Sequence, residues 1–278
     1  MGRELYEKLN AARELLDSAG EILGYDLKEI LFEGPEGRLT DTAVAQPAIF
    51  TCNAMYLEKI KADGMEYRMV AGHSLGEYNA LLAAGVFDFE TGLRLVAARG
   101  KAMAEMNGMG TMAAVMGLSE EELRPLLGSD VVMANLNSRT QIVISGTETG
   151  VDQVCRKLEL DAFANAGVKA KRLHVSAAFH SPQMAKAAEK MRSVLEGVSL
   201  YPPECLVVPN VMGKPTTDVD EIRRCLIEQI MGQVRWADSI LAMKEAGVDL
   251  LVEVGYGDVL KKLNKTITFR PKCIGVEA

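Results

Sequence analysis

Arg68-Met69-Val70-Ala71-Gly72-His73-Ser74-Leu75-Gly76-Glu77-Tyr78-Asn79-Ala80-Leu81-Leu82-Ala83-Ala84 is the stretch whose reading decides the fold. A short apolar run gives way to a serine flanked by glycines, and an Ala/Leu-rich helical segment follows. That is strand, sharp turn and helix, and Gly72-His73-Ser74-Leu75-Gly76 fits the G-x-S-x-G elbow of a nucleophilic serine. Backbone at the tip of such a turn is strained, and both glycines are expected to remove side chains that would clash there. The serine oxygen then stands at a helix N-terminus, where free N–H groups and the helix dipole favour negative charge. The N–H of Leu75 is expected to point where an oxyanion would form. The plainer alternative is a Gly-Ser turn with no chemistry, and the strand before and helix after weigh against it.

Around this stretch the chain has 278 residues, enough for one large or two smaller domains at ~150 residues each. No apolar run reaches the ~18 residues of a membrane span, and Met1-Gly2-Arg3-Glu4 does not open a signal peptide. Five scattered cysteines without C-x-x-C spacing fit free thiols in a cytoplasmic protein and argue against a metal site. A net charge of −7 and aromatics at 5% argue against a nucleic-acid partner.

Residues 2–33 read as amphipathic helices, Glu33–Gly37 as a loop, and a helix is expected to start near Pro47 and reach Ile60. Asp88–Met106 is a further helix. Beyond it Thr111–Met116 reads as a strand, Ser119-Glu120-Glu121-Glu122 as a capping box, Val131–Asn135 and Gln141–Ser145 as strands, residues 150–166 as a helix, and Lys169–Val175 as extended. The order β-α-β-β-α-β is that of a ferredoxin-like unit. Helix Gln183–Leu195, strand Leu206–Val211, helices Asp220–Met231 and Ala237–Ala246 and strand Asp249–Val254 then return to α/β alternation. The expected fold is therefore α/β: a mainly parallel-sheet, hydrolase-like large subdomain over residues 1–108 and 176–278, with a ferredoxin-like small subdomain inserted at 109–175.

Two further residues invite chemistry. Arg99 falls on the apolar stripe of its helix with Gly92, Val96 and Met103, so it is either buried and paired or lies along the surface with its head in water. Of the three histidines, His73 adjoins the serine on the far side of the turn, and His174 sits in an expected strand. His180, in Ser176-Ala177-Ala178-Phe179-His180-Ser181-Pro182, stands at a strand-to-helix junction from which a base can reach a separate elbow. A solvated loop histidine is its plain alternative.

Gly-His-Ser-Leu-Gly-Glu-Tyr resembles the active-site signature of the malonyl-CoA:acyl carrier protein transacylases and the related acyltransferases of polyketide synthases. The resemblance covers the whole chain. It implies a malonyl group carried from malonyl-CoA to the phosphopantetheine thiol of an acyl carrier protein through a malonyl-serine ester, in fatty acid or polyketide biosynthesis, by a monomer needing no metal or bound cofactor. Ser74 matches the nucleophile and His180, in Ala-Phe-His-Ser, the base. Arg99, in Arg-Gly-Lys, matches the arginine that grips the substrate carboxylate. Gln229, before Val234-Arg235-Trp236, matches the residue whose backbone carbonyl orients the histidine. Gln46, in Thr42–Ala48, matches a residue lining the site, although taken alone it reads as a polar helix cap. Phe179 is expected to crowd a branched C2 and disfavour methylmalonyl. Carriers of this kind are acidic, so docking calls for a basic surface. Lys169, Lys171 and Arg172 are the first candidates, and Lys261, Lys262 and Lys265 the second, against the plain alternative of a charged strand edge. Glu253-Val254-Gly255-Tyr256-Gly257 departs from the family motif, which carries proline where Tyr256 stands.

Members of that family open on a core strand ending in a Gly-Gln-Gly-Ser-Gln loop that gives the second N–H of the oxyanion hole. This sequence begins inside the helix start that follows. A lower rate and stability are therefore expected of it. An acyl hydrolase, or a relative that only docks carrier protein, stands as the alternative. An α/β-hydrolase esterase shares the elbow but places its histidine close to the C-terminus, far beyond the position of His180.

Overall fold

The computed structural model describes residues 1–160, 163 and 165–277. Among them eight strands follow in chain order: β1 Met69–Val70, β2 Thr111–Met116, β3 Val131–Ser138, β4 Gln141–Gly146, β5 Lys169–Arg172, β6 Leu206–Val207, β7 Leu250–Glu253 and β8 Lys272–Gly275. The chain is α/β, with helices between most of these strands. No helix among the described residues is long and apolar enough to cross a membrane.

The main core forms where helices Thr42–Ala62 and Phe89–Ala104 pack on one another and on the amphipathic helix Asn10–Leu23. Gly92 permits that approach, since a Cβ there would fall 2.7 Å from both Phe50 and Phe87. Asp88 caps its helix by accepting from the Thr91 N–H, as Asp41 does from the Ala43 N–H. That second cap starts the helix at Thr42, earlier than the sequence suggested, and leaves Pro47 inside it. The proline removes one backbone bond but does not break the helix.

β1 pairs in parallel with β6, and β7 with β8. Both the Leu206–Val211 and Asp249–Val254 runs hold strands, but shorter ones than expected, and they fall in two separate pairs. Pro209 ends the first run: the N–H groups of Met212 and Gly213 bond back to its carbonyl in a turn. That turn carries Asn210, which bonds to Gly72 and Ser74.

The four central strands form an antiparallel sheet in the order β3-β4-β2-β5. One face packs on helix Glu148–Leu158 through Val115, Ile142, Ile144, Val151 and Val154. The other, with Met112, Ala134 and Val143, is covered by Leu173, Val175 and Phe179 of the segment leading to His180. Ser119 and Glu122 make the reciprocal capping box. The end expected for the Glu148–Leu158 helix, at Ala166, runs over residues 161, 162 and 164, which lie outside the described residues.

Candidate active site

Ser74 sits between β1 and helix Gly76–Ala83 with φ 52°, a left-handed conformation that costs a non-glycine residue about 1–3 kcal/mol. The elbow is closed so tightly that a Cβ on Gly72 would lie 1.9 Å from the Gly76 carbonyl oxygen and 2.5 Å from the Glu77 nitrogen. Gly76 differs: nothing lies within 4 Å of its Cβ position. The sequence reading that both glycines relieve a clash thus holds for Gly72 only. Gly72→Ala is expected to destabilise the protein by about 3 kcal/mol or more, the upper end of overpacking costs, and to remove activity. Gly76→Ala should fold normally; matching thermal melts of the two variants would refute this.

Two side chains hold the strained turn. Asn210 donates from Nδ2 to the Gly72 carbonyl at 2.6 Å and accepts the Ser74 N–H on Oδ1 at 2.7 Å. Gln229 donates from Nε2 to the Ser74 carbonyl at 2.9 Å. The N–H groups of Gly76, Glu77 and Tyr78 bond to the carbonyls of His73, Ser74 and Leu75, while no acceptor among the described residues takes the Leu75 N–H.

His180, itself at φ 56°, is 3% exposed and reaches the serine: Ser74 Oγ and His180 Nε2 are 2.7 Å apart. Its Nδ1 lies 2.8 Å from the Gln229 backbone carbonyl. A carbonyl only accepts, so Nδ1 carries the proton and Nε2 is left to accept from the serine hydroxyl. Burial, and next the charge of Arg99, push the imidazole down to about 3, against the opposing pull of the Gln229 carbonyl. The ring is therefore neutral and unprotonated on Nε2 at any ordinary pH.

Arg99 is 1% exposed, so of its two sequence readings burial is the one observed. It donates from Nη1 to Gln46 Oε1 at 2.7 Å, and from Nη2 to Gln229 Oε1 at 3.0 Å and Ser74 Oγ at 3.3 Å. Its Nε is buried without an acceptor among the described residues. No carboxylate forms an ion pair with it there; the buried Glu77 acts on it only at longer range. A buried cation held by neutral amides, with a spare N–H, is a place prepared for an anion. Gln46 is buried against this guanidinium and is not the helix cap that it reads as when taken alone.

The other candidates separate. His73 donates from Nε2 to Asn137 Oδ1 at 2.9 Å and packs on Trp236, which ties the elbow to β3. His174 lies just past β5 rather than within a strand and makes none of these contacts. Alternation along β5 divides the basic trio. Arg172 turns towards helix Glu148–Leu158, where it pairs with Glu148 and with Asp152 at 2.9 Å. Lys169 and Lys171 are exposed, make no ion pair among the described residues, and alternate onto the face that carries Ala114 and Leu173. Lys262, in helix Val259–Asn264, pairs with the cap residue Asp258 at 2.7 Å.

Sequence reasoning missed Glu77 and Asn210. Glu77 is 1% exposed and accepts on Oε2 from the Asn210 N–H and from Gln229 Nε2, both at 2.9 Å. Burial pushes its carboxyl up to about 7, although both hydrogen bonds and Arg99 pull it down. Glu77 had a signal, an acidic residue in the first turn of a buried helix. Asn210 had none, because its run read as a continuous strand.

The family profile described as "Acyl transferase domain" matches residues 1–266. The malonyl CoA-acyl carrier protein transacylase of Bacillus subtilis (strain 168) is 41% identical over 284 aligned positions, covering 99% of this chain and 88% of that protein. The crystal structure of the protein of that name from Clostridium perfringens superposes with a TM-score of 0.93 at 34% identity, over 100% of this chain and 88% of that one. A malonyl-transacylase solved in complex with its type II polyketide synthase acyl carrier protein superposes at 0.90 with 34% identity, over 98% of this chain and 89% of its own. Likeness in sequence and structure over nearly the full length agrees with the elbow and its histidine: the chain belongs to the acyl transferase domain family.

Proposed function

We propose that the protein is a malonyl-CoA:acyl carrier protein S-malonyltransferase working by a ping-pong mechanism. The observation that carries this reading is the arrangement of a serine and a neutral histidine 2.7 Å apart beside a buried arginine that has no carboxylate partner among the described residues. His180 Nε2 takes the Ser74 proton as Oγ attacks the malonyl thioester carbonyl, and the Leu75 N–H receives the developing oxyanion. The C–S bond breaks, coenzyme A leaves with the proton, and the malonyl-serine ester keeps its carboxylate on Arg99. The carrier thiol then gives its proton to His180 and attacks the ester carbonyl. The C–O bond to Ser74 breaks, and His180 Nε2 returns the proton to Ser74 Oγ as the acyl group leaves on the carrier. Every proton and bond is accounted for by these residues and the two thiols, so the proposed cycle draws on no metal and no bound cofactor.

The finer organisation follows the same reading. The strand order β3-β4-β2-β5, with helices in both crossovers, supports a ferredoxin-like small subdomain at 109–175. The strand, elbow and helix support a hydrolase-like large subdomain made of 1–108 and 176–278.

Intact mass after malonyl-CoA, and again after holo carrier protein, tests the function. A malonyl adduct that persists and then moves to the carrier is expected. Rapid release to water would make the protein a hydrolase, and no adduct would make it a docking relative. For the carrier surface, Lys169→Glu with Lys171→Glu should raise the carrier KM roughly 3–10-fold at low salt, with self-acylation unchanged. Arg172→Glu should move the carrier KM less, since Arg172 is already paired with Glu148 and Asp152 on the helix beside it. An unmoved KM in the double variant discards the patch.

A further inference from the structure

The acidic side chain at the centre of the site is not explained by the transfer steps. Glu77 touches neither the nucleophile's oxygen nor the histidine, yet its Oε2 accepts from the Asn210 N–H and from Gln229 Nε2, each at 2.9 Å. Gln229 is the crossing point. Its Nε2 serves Glu77 and the Ser74 carbonyl, its Oε1 takes Arg99 Nη2 at 3.0 Å, and its backbone carbonyl holds His180.

An amide has two orientations related by a flip, and only the hydrogen-bond partners choose between them. With Nε2 turned to Glu77 and Ser74, both N–H groups meet acceptors and Oε1 meets the guanidinium. Flipped, Oε1 would face two acceptors and the NH2 would face Arg99. Glu77 Oε2 is an acceptor when the carboxyl is ionised or protonated on Oε1. With two N–H groups already directed at Oε2 the proton belongs on Oε1, so Oε2 opposes the flip. The groups that press on Glu77 from its neighbours are Arg99, Tyr78 and Cys225, and none of them accepts the Gln229 N–H in its place.

We infer that Glu77 is a positioning residue for substrate selection: by fixing the Gln229 amide it sets where the Arg99 guanidinium rests, and so tunes the grip on the malonyl carboxylate. This rests on the reading of Arg99 as the carboxylate's partner. The base depends on the Gln229 main chain, which the amide orientation leaves alone, and the Ser74 turn keeps both of its Asn210 bonds when the Gln229 amide turns. Glu77 therefore acts on the choice of acyl group more than on acyl transfer itself. A glutamine at 77 can offer its carbonyl oxygen to the same two N–H groups, whereas a leucine of similar size offers nothing.

The test compares self-acylation rate constants for malonyl-CoA and acetyl-CoA, read by intact mass, in the full chain. Glu77→Leu should lower the malonyl-to-acetyl ratio by roughly tenfold or more, the loss expected of a hydrogen bond to a charged group. Glu77→Gln should hold it within about threefold of the parent. Adding Glu77→Leu to Arg99→Ala should leave the ratio where Arg99→Ala put it, as required of two groups acting in series. If Glu77→Leu does not fold, Glu77→Met carries the test, because it removes the same acceptor and leaves the Gln229 side chain, with its partners Ser74 and Arg99, in place. Malonyl and acetyl rates falling together in Glu77→Leu or Glu77→Met would show that the contact only holds the elbow, and would overturn the inference. An Arg99→Ala protein with an unchanged ratio would remove the carboxylate reading, and Glu77's role with it.

Discussion

Ser74→Ala is expected to carry no malonyl adduct at all, and His180→Ala to form it slower by a factor on the order of 10⁴–10⁶. The size follows from how completely the two side chains act as one unit. The hydroxyl 2.7 Å from Nε2 is a poor nucleophile until the imidazole takes its proton, and no other base stands at that position among the described residues. The accompanying pH profile is distinctive. A histidine with an ordinary pKa near ~6.5 loses half its basic form at that pH. His180 lies far lower, at about 3, because it is buried beside Arg99. A lowered pKa keeps the deprotonated form at lower pH, so self-acylation should run flat from pH 8 down to 5. The measurement is intact mass against time in buffers of matched ionic strength, with tryptic mapping of the adduct. A malonyl group on Ser74→Ala would sink the assignment, and a rate that halves near pH ~6.5 in the parent would show that burial and Arg99 do not hold the working imidazole down.

The parts legible in the sequence were those held together locally. The elbow is contiguous, and its chemistry is written in Gly72 and Ser74 themselves, although Gly76 proved sterically free. Helices and capping boxes need only nearby residues, so Ser119–Glu122 and Asp88 to Met106 were readable. What sequence could not supply was pairing at a distance. On residue type alone Arg99 leaned towards a stem on the surface with its head in water, and only the family resemblance favoured a role in the site. The structure has Gln46 and Gln229 meet it from two other helices. The basic run at 169–172 read as one patch, and only the alternation of β5 against helix Glu148–Leu158 separates Arg172 from its neighbours. Asn210 was hidden inside an apolar run that looks like strand. Its position depends on a turn at Pro209, and its partners, Gly72 and Ser74, lie in the other half of the chain.

Arg99→Ala should cost malonyl transfer far more than acetyl transfer, by about 2–5 kcal/mol in kcat/KM, the cost of removing a desolvated partner from a charge. The difference between the two substrates arises at the guanidinium. It is buried, held by two amide oxygens, and its Nε has no acceptor among the described residues. Its charge also holds the His180 imidazole down, second only to burial itself. A malonyl carboxylate answers both at once, filling the empty donor and cancelling the field on the base. An acetyl group does neither. Acetyl transfer should therefore survive Arg99→Ala, and the more basic histidine left behind works in its favour. Arg99→Lys should not restore malonyl transfer, because a single ammonium cannot span Gln46, Gln229 and a carboxylate in one plane. Some stability will be lost in both variants, since Gln46 Oε1 and Gln229 Oε1 lose their donor in the interior. That loss weighs equally on both substrates and cancels in their ratio. The decisive measurement is the ratio of malonyl to acetyl self-acylation rates in parent and variant. If the two fall by the same factor, Arg99 holds the fold of the site and does not read the acyl group.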